Sequence, residues 1–201
     1  MTKLTPRERR QQKTRRAILQ AAREIISEKG LDGLSLREIA HRTDYSPAGL
    51  YEYFNSKDEI ITAVCVEGFE RFSAYLNRVP TDLPPSERLM ELGLAYLDFA
   101  KNNPEHFLFI FTTLPNEVPF TDLIEGDTPY DVLRQAAQDF IQTEDVGLPS
   151  EYTVDDLAYI LWSQVHGMAM LQRTVFCDFE RDFDPIHRWA LEVLGKGLGT
   201  E

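Results

Sequence analysis

The residue types that most often carry out enzyme chemistry are few in this chain and widely separated. The histidines are His41, His106, His166 and His187, and the cysteines are Cys65 and Cys177. Neither set has the spacing of a metal site, a disulfide framework or a nucleophile with its base, and no glycine-rich phosphate loop occurs. The adjacent acids Asp155 and Asp156 suit the first turn of a helix. We therefore expect no catalytic site, no metal ion and no cofactor.

A different chemistry is indicated by residues 35–54, SLREIAHRTDYSPAGLYEYF. Ser35, followed three residues later by Glu38, predicts a capping box on a short helix, and Ser46-Pro47 predicts the start of another helix after a tight turn. Two short helices joined in this way are typical of a helix-turn-helix, whose second helix enters the major groove of DNA. The start of that helix must be small to approach base edges, and residues 46–49 are Ser, Pro, Ala and Gly.

The large apolar and aromatic residues of this segment divide into a buried and an exposed set. Leu50 and Phe54 lie four residues apart and are expected to form the buried face of the second helix, with Phe54 near its end. Tyr51 and Tyr53 are expected at exposed or boundary positions, where a phenol can donate to a phosphate. A mostly buried Tyr51 is the alternative. One short helix reads few bases, so this segment also predicts a dimer that reads a palindrome.

Charge is unevenly distributed along the chain, whose net charge is −12. Residues 1–16 carry a net charge of +6 and residues 1–60 a net charge of +3, whereas residues 61–201 carry −15. The basic end can neutralise phosphates and the acidic remainder should stay away from them. A solvated basic tail is the alternative explanation.

The elements that would position these residues are all helical, because apolar residues recur at helical spacing and strand signals are nearly absent. We expect about nine helices, with one domain at residues 1–60 and another at 61–201. The first helix has its apolar face at Ile18, Ala22 and Ile25, and Gly30 caps its end. The other helices are expected over about 35–43, from 46, over about 57–78, 86–102, from 104, 129–144, 153–177, and from 184 to about 195–199, with a loop at 115–128.

Residues 12–65 resemble the DNA-binding domain of the TetR family of repressors. The resemblance is carried by Ala40, the turn at residues 43–45, the small residues 46–49, the Tyr-x-x-Phe motif of Tyr51 to Phe54, and Lys57. Asp44 stands where the family usually has glycine, and because aspartate tolerates a left-handed turn the fold should survive.

This resemblance implies contacts with operator DNA. Lys57 would hold a phosphate at the start of the fourth helix, Thr43, Ser46, Tyr51 and Tyr53 would contact the backbone, and Ala48 and Gly49 would lie against base edges. The full set of implied DNA contacts is Lys13, Arg15, Arg16, Ser35, Arg37, Arg42, Thr43, Ser46, Pro47, Ala48, Gly49, Tyr51, Tyr53 and Lys57. Lys13, Arg15 and Arg16 are expected to precede or begin the first helix and reach the flanking minor groove. Solvated Arg37 and Arg42 are the alternative.

The region after residue 65 is rich in aromatic residues, which form either a dense core or an apolar cavity. The family resemblance implies a cavity for a small-molecule effector, which we expect to be apolar or aromatic, with a cationic compound held by cation–π contact as a further option. The candidate ligand-binding residues are Phe69, Phe72, Tyr96, Phe99, Phe107, Phe111, Trp162, His166 and Met170. The segment around Trp162 and His166 resembles a Trp-x-x-x-His-Gly signature of one C-terminal subtype, with Gly167 expected to allow close helix approach. A hydrogen-bonded core role for His166 is the alternative.

The resemblance further implies that the last two helices form the dimer interface. The candidate residues are Met168, Leu171, Gln172, Trp189, Val193 and Leu194. No segment is long and apolar enough to span a membrane, and the basic N-terminus lacks the apolar core of a secretory signal, so we expect a cytoplasmic protein. Two alternatives stay open, namely a redox sensor that uses Cys65 and Cys177, and an activator or corepressor-dependent regulator in place of a repressor released by its ligand.

Overall fold

The structure is a computed structural model that describes residues 5–112, 127–143 and 149–198. In these ranges it contains nine α-helices and no strand, which confirms the predicted all-α class. The helices are α1 (Pro6–Lys29), α2 (Leu36–Thr43), α3 (Pro47–Leu50), α4 (Lys57–Leu76), α5 (Pro85–Asn102), α6 (Pro104–Thr112), α7 (Pro129–Thr143), α8 (Val154–Thr174) and α9 (Asp184–Leu198). None of these helices is long and apolar enough to cross a membrane.

Three predicted boundaries are wrong. Helix α3 ends at Leu50 and turns follow it, so Phe54 lies beyond the helix rather than near its end. Helix α4 ends at Leu76 and α8 ends at Thr174, two and three residues before the predicted ends. Most of the predicted loop at 115–128, and the predicted helix end at residue 144, lie outside the described residues.

The start of α1 also differs from the prediction. Thr5 and Glu8 form a complete capping box, and Pro6 occupies the first helical position. Both features stabilise a helix N-terminus, so α1 begins earlier than its apolar pattern indicates. Lys13, Arg15 and Arg16 therefore lie inside the helix rather than before it or at its start. At the other end Gly30 has a φ of 70°, as predicted for a glycine cap.

The described residues fall into two compact units. One contains residues 5–68 and 108–112, and the other contains residues 69–107, 127–143 and 149–198. The division falls after Gly68, inside α4.

In the first unit, helix α1 packs on α2, and α2 packs on α3. The predicted apolar face of α1, including Ile18 and Ile25, is fully buried, and so is Leu50 of α3. An ion pair between Arg23 and Glu67 joins α1 to α4. This packing gives the short helix α3 a fixed support.

In the second unit, helix α5 packs against α7, α8 and α9. Gly93 of α5 makes this close approach possible, because a Cβ atom there would lie 3.0 Å from a methyl carbon of Leu191. The expectation that Gly167 permits close packing is not met within the protomer, since a Cβ atom at Gly167 would meet nothing within 4 Å.

The turn between α2 and α3 depends on Asp44. This residue caps α2 in the left-handed conformation, with a φ of 56° and a ψ of 31°, and it is the one non-glycine residue with positive φ among the described positions. Aspartate and asparagine adopt this conformation more readily than other non-glycine residues. The sequence-based expectation that Asp44 supports the turn is thereby confirmed.

Replacing Asp44 by alanine should lower the free energy of unfolding by about 1 kcal/mol, because the alanine Cβ is strained in the left-handed region. Asp44→Gly should leave the stability equal or slightly higher. Thermal unfolding followed by circular dichroism measures both variants, with Asp44→Asn as the conservative control. Equal Tm values for the alanine and glycine variants would contradict this explanation of the turn.

Candidate DNA-binding surface and ligand cavity

The beginning of α3 forms a small, accessible surface. Ser46, Pro47 and Ala48 are exposed and Gly49 is half-buried. Ser46 caps the helix, since its hydroxyl oxygen accepts from the Gly49 amide at 3.0 Å. Tyr51 follows with 56% of its surface exposed, so it is not the core residue of the alternative interpretation. Small side chains and an exposed phenol thus lie side by side.

Two contacts from α1 hold the segment around α3. The hydroxyl groups of Thr14 and Tyr45 are hydrogen-bonded at 3.0 Å. Arg15 donates to the Tyr53 carbonyl at 2.9 Å, and its guanidinium lies 4.0 Å from the centre of the Phe54 ring. Arg15 was predicted to reach DNA, but its contacts here position the chain that follows α3.

Tyr45 is a residue of this surface that the sequence reasoning missed. It is 40% exposed and packs edge-to-face on half-buried Tyr53, with ring centres 6.2 Å apart. Its place immediately before the N-cap Ser46 was the available signal.

Arg42 lies close to three glutamates of the first unit. It donates to Glu28 at 2.9 Å and lies 3.5 Å from Glu38 and 3.9 Å from Glu24. The hydrogen bond from Arg42 lowers the pKa of Glu28, which keeps that carboxylate ionised. This network favours a structural role for Arg42, and its predicted DNA contact stays a prediction.

The predicted capping box at Ser35 forms only in part. The exposed Ser35 hydroxyl accepts from the Glu38 amide at 3.2 Å. The Glu38 carboxylate accepts from Lys29 at 2.9 Å instead of returning to the cap. The ion pair of Glu38 with Lys29 therefore takes the place of the hydrogen bond that the Ser35 amide would donate to the Glu38 carboxylate in a complete capping box.

The remaining predicted DNA contacts occupy varied environments. Lys57 is half-buried and donates to the Leu31 carbonyl at 3.2 Å. The Thr43 hydroxyl donates to the Ile39 carbonyl at 2.8 Å. Exposed side chains are found at Lys13, Arg16 and Arg37.

The structure brings most of the predicted ligand-binding residues into one aromatic cluster of the second unit. The cluster comprises Phe72, Tyr96, Phe99, Phe107, Trp162 and His166. Phe72 stacks on Phe99 with ring centres 4.9 Å apart, and Trp162 meets Tyr96 edge-to-face at 5.7 Å. Phe69 is buried in the same unit and Met170 is half-buried on α8, whereas Phe111 belongs to the first unit.

A polar pair lies inside this cluster. The Tyr96 hydroxyl is 2.8 Å from Nδ1 of His166. Burial raises the pKa of Tyr96 and lowers the pKa of His166, so both groups are held in their neutral forms. His166 thus has the core hydrogen bond of the alternative interpretation, in a place where it borders apolar rings.

Open space lies mainly beside the aromatic cluster rather than within it. A cavity of about 40 Å³ borders Phe72, Tyr96 and Trp162. A larger cavity of about 440 Å³ lies between α5, α7, α8 and α9. Its apolar lining includes Leu89, Met90, Phe140, Leu161, Leu191 and Leu198. Sequence reasoning missed these residues because each resembles an ordinary core position of a helix.

The two cavities share walls. Leu89, Leu161 and Leu191 line both of them. Rotation of these three side chains is therefore the change that would join the two spaces. Leu194, predicted for the dimer interface, also lines the larger cavity.

Three other predicted interface residues are exposed despite their apolar character. Leu171 is 48% exposed, Trp189 66% and Val193 51%. Met168 and Gln172 are half-buried on α8. The apolar residues Tyr159 and Val175 add to the exposed surface of α8 and its end.

The two cysteines differ strongly in environment. Cys65 is buried, and burial raises its pKa to about 12, which opposes thiolate chemistry. Cys177 is exposed. Among the described residues, no group of three or more His, Cys, Asp and Glu side chains could hold a metal ion.

Comparison with known proteins assigns the family. The model of "Bacterial regulatory proteins, tetR family" matches residues 18–64, and that of "Tetracyclin repressor-like, C-terminal domain" matches residues 89–194. The chain therefore belongs to the TetR family of transcriptional regulators, whose N-terminal domain is a DNA-binding helix-turn-helix. This confirms the resemblance stated from residues 12–65.

A curated relative and two solved structures agree with this assignment. The uncharacterized regulator YobS of Bacillus subtilis is 28% identical over 94 residues, which cover 47% of this chain and about half, 49%, of YobS. A Rhodococcus sp. RHA1 protein of unknown function has a TM-score of 0.76 at 23% identity and covers 93% of this chain and 96% of its own. FadR of B. subtilis, solved with stearoyl-CoA, has a TM-score of 0.72 at 16% identity over 91% and 98% of the two chains. These structures support the fold.

Proposed function

We propose that this regulator is a dimeric repressor that binds a palindromic operator and is released from it by an apolar small molecule. The observation that carries the proposal is the exposed start of α3, where residues 46–49 are small and Tyr51 is accessible. Such a surface fits the major groove, and the dimer supplies the second half-site. A regulator that acts on chromosomal DNA in this way works in the cytoplasm.

The DNA contacts divide by chemistry. Ala48 and Gly49 are small enough to bring the backbone of α3 close to base edges, while the Tyr51 phenol donates to a phosphate. The Ser46 hydroxyl accepts within its own helix cap and keeps its proton for a phosphate oxygen. Lys57 is assigned to the DNA backbone as well, because its ammonium keeps two protons beside the one it donates to Leu31. Thr43 donates its single hydroxyl proton to the Ile39 carbonyl, so its phosphate contact requires that bond to break. The net positive charge of residues 1–60 supports this orientation.

The DNA assignment is tested with the full chain and a duplex that the protein itself enriches from a random-sequence library in the presence of unrelated competitor DNA. We expect a two-fold symmetric consensus whose binding weakens as salt rises. Tyr51→Ala should weaken binding to that duplex about tenfold or more, because a phosphate contact is lost. Fluorescence anisotropy of labelled duplex measures both effects.

Tyr152→Ala is the matched control, because Tyr152 is 51% exposed and lies outside the helix-turn-helix. Enrichment of no consensus, or equal affinity for wild type and Tyr51→Ala, would refute the proposed DNA-binding mode.

The dimer is assigned to α8 and α9. An exposed tryptophan beside exposed leucine and valine is the type of surface that forms the centre of a protein interface. The open space at Gly167, one turn before Leu171, leaves room for a partner helix to approach α8 closely. The exposed apolar side chains and the open space at Gly167 thus both favour contact with a second protomer.

Trp189→Glu should raise the dimer dissociation constant by about 100-fold or more, because it places a charge at an apolar hot spot. Sedimentation velocity over a concentration series measures this. Tyr152→Glu introduces the same charge at another exposed aromatic position and should leave the dimer intact. A Trp189→Glu protein that stays dimeric at the lowest concentration would rule out this interface.

The effector is assigned to the second unit. The cavity of about 440 Å³ has the size of a small-molecule site and a mainly apolar lining. Rotation of the leucine side chains that separate it from the space beside Trp162 would let one elongated ligand reach from the cavity to the aromatic cluster. FadR, which has this fold, was solved with stearoyl-CoA. An apolar chain is accordingly the ligand chemistry we favour.

Trp189→Phe leaves Trp162 as the sole tryptophan, so its emission reports on the cluster. Compounds from a small-molecule library that release the enriched duplex should also change Trp162 emission. His166→Ala should weaken the effect of those compounds while leaving compound-free DNA affinity unchanged, because it removes a polar wall of the cluster. Release of DNA without any change in Trp162 emission would place the effector site elsewhere.

A further inference from the structure

The first two turns of α1 carry a charge that packing does not explain. Residues 5–13 are exposed at every position, and the buried residues of α1 begin at Thr14. These turns include Arg7, Arg9, Arg10 and Lys13. The complete Thr5–Glu8 capping box nevertheless keeps them helical. A rigid, basic extension of the helix therefore projects beyond the core of the first unit.

Two of these arginines share a face with the contact to the DNA-binding segment. At about 100° per residue, Arg7, Arg10 and Thr14 lie on one side of α1. Thr14 is hydrogen-bonded to Tyr45, and Tyr45 directly precedes the cap of α3. Arg10 and Arg7 thus follow this contact along the same face, with Cα positions about 6 Å and about 10 Å beyond it.

The other exposed arginines of α1 point away from this face. Arg9 and Arg16 lie about half a turn from Thr14. Both are exposed, like Arg7 and Arg10. Arg9 and Arg16 thus carry the same positive charge as Arg7 and Arg10, but on the side of the helix opposite to Thr14.

We propose that Arg7 and Arg10 form a phosphate-binding ridge that grips the DNA backbone next to the groove occupied by α3. This inference rests on the proposed placement of α3 in the major groove. That groove is about 12 Å wide and bordered by phosphate strands, and the ridge begins one helical turn beyond the contact of Thr14 with Tyr45. A guanidinium binds phosphate through paired hydrogen bonds. The ridge takes the flanking role that sequence reasoning gave to Lys13 and Arg16.

We assign DNA as the binding partner of the ridge, because the negative phosphates of DNA complement the net charge of +6 over residues 1–16. An acidic protein surface, on residues 61–201 or on a second copy, is the competing occupant. A phosphate contact changes the salt dependence of DNA binding directly, whereas a protein contact changes the dimer or its stability.

The test compares Arg7→Ala/Arg10→Ala with Arg9→Ala/Arg181→Ala in the full chain. Both pairs remove two positive charges from exposed positions, and Arg181 lies in the second unit, outside the DNA-binding segment. The probe is the duplex enriched by the wild-type protein, about 30 base pairs long so that flanks extend beyond two half-sites. Its dissociation constant is measured from about 50 to 300 mM salt.

Loss of the ridge should lower the slope of log K against log salt by about 0.9 per lost phosphate contact, and so by about 3.6 for a dimer. At 0.1 M salt the affinity should fall at least about tenfold. The Arg9→Ala/Arg181→Ala control should keep a slope close to the wild type. Unchanged Tm values for both variants would show that the loss is not unfolding.

Equal slopes for the two double variants overturn the ridge while leaving the proposed function intact, provided that wild type still binds the duplex. An unchanged slope together with a weaker dimer in Arg7→Ala/Arg10→Ala assigns the ridge to a protein surface, which also overturns it. Enrichment of no duplex by the wild type would instead be a failure of the proposed function itself.

Discussion

The DNA-binding surface depends on the burial of two side chains. Helix α3 has four residues, and so short a helix does not persist alone in water. Leu50 and Phe54 are buried and fix its orientation from below. Arg15 adds a second restraint because it binds the Tyr53 carbonyl and lies over the Phe54 ring. The outer face of α3 is consequently free to carry small residues, which contribute almost nothing to its stability.

The second unit combines a densely packed aromatic core with open space beside it. The rings around Tyr96 pack closely and leave about 40 Å³, while about 440 Å³ lies behind a wall of leucines. Leucine side chains change rotamer more easily than a packed set of rings moves. The neutral Tyr96–His166 pair supplies a hydrogen-bonding point in otherwise apolar surroundings. An arrangement of this kind can admit a ligand without disrupting its core.

Much of the architecture could be predicted from local sequence signals. The apolar face of α1, the caps at Gly30 and Ser46, and the tolerance of Asp44 for a left-handed turn all depend on neighbouring residues, and the structure has each of them. The length of α3 was overestimated because Leu50 and Phe54, four residues apart, follow a helical spacing that the chain does not keep beyond Leu50.

The roles of individual charged residues were harder to predict, since they depend on partners distant in sequence. Arg42 donates a hydrogen bond to Glu28, Lys57 to the Leu31 carbonyl and Arg15 to the Tyr53 carbonyl. Each of these contacts is formed only when the tertiary fold brings the partners together. The cavity residues were missed for a related reason, because a leucine beside a void and a leucine in a filled core have the same spacing. Only the packing of α5 against α9 distinguishes them.

The capping box at Thr5 and Glu8 has a consequence for how a regulator would search a chromosome. A basic arm that is already folded loses no conformational freedom when it meets DNA, unlike a flexible tail that must become ordered. Contacts to phosphate carry no sequence information, so such an arm holds any duplex equally and allows the protein to slide along it. In the proposed binding mode, discrimination would be left to the few small residues of α3, while the arm would keep the protein on the DNA during the search.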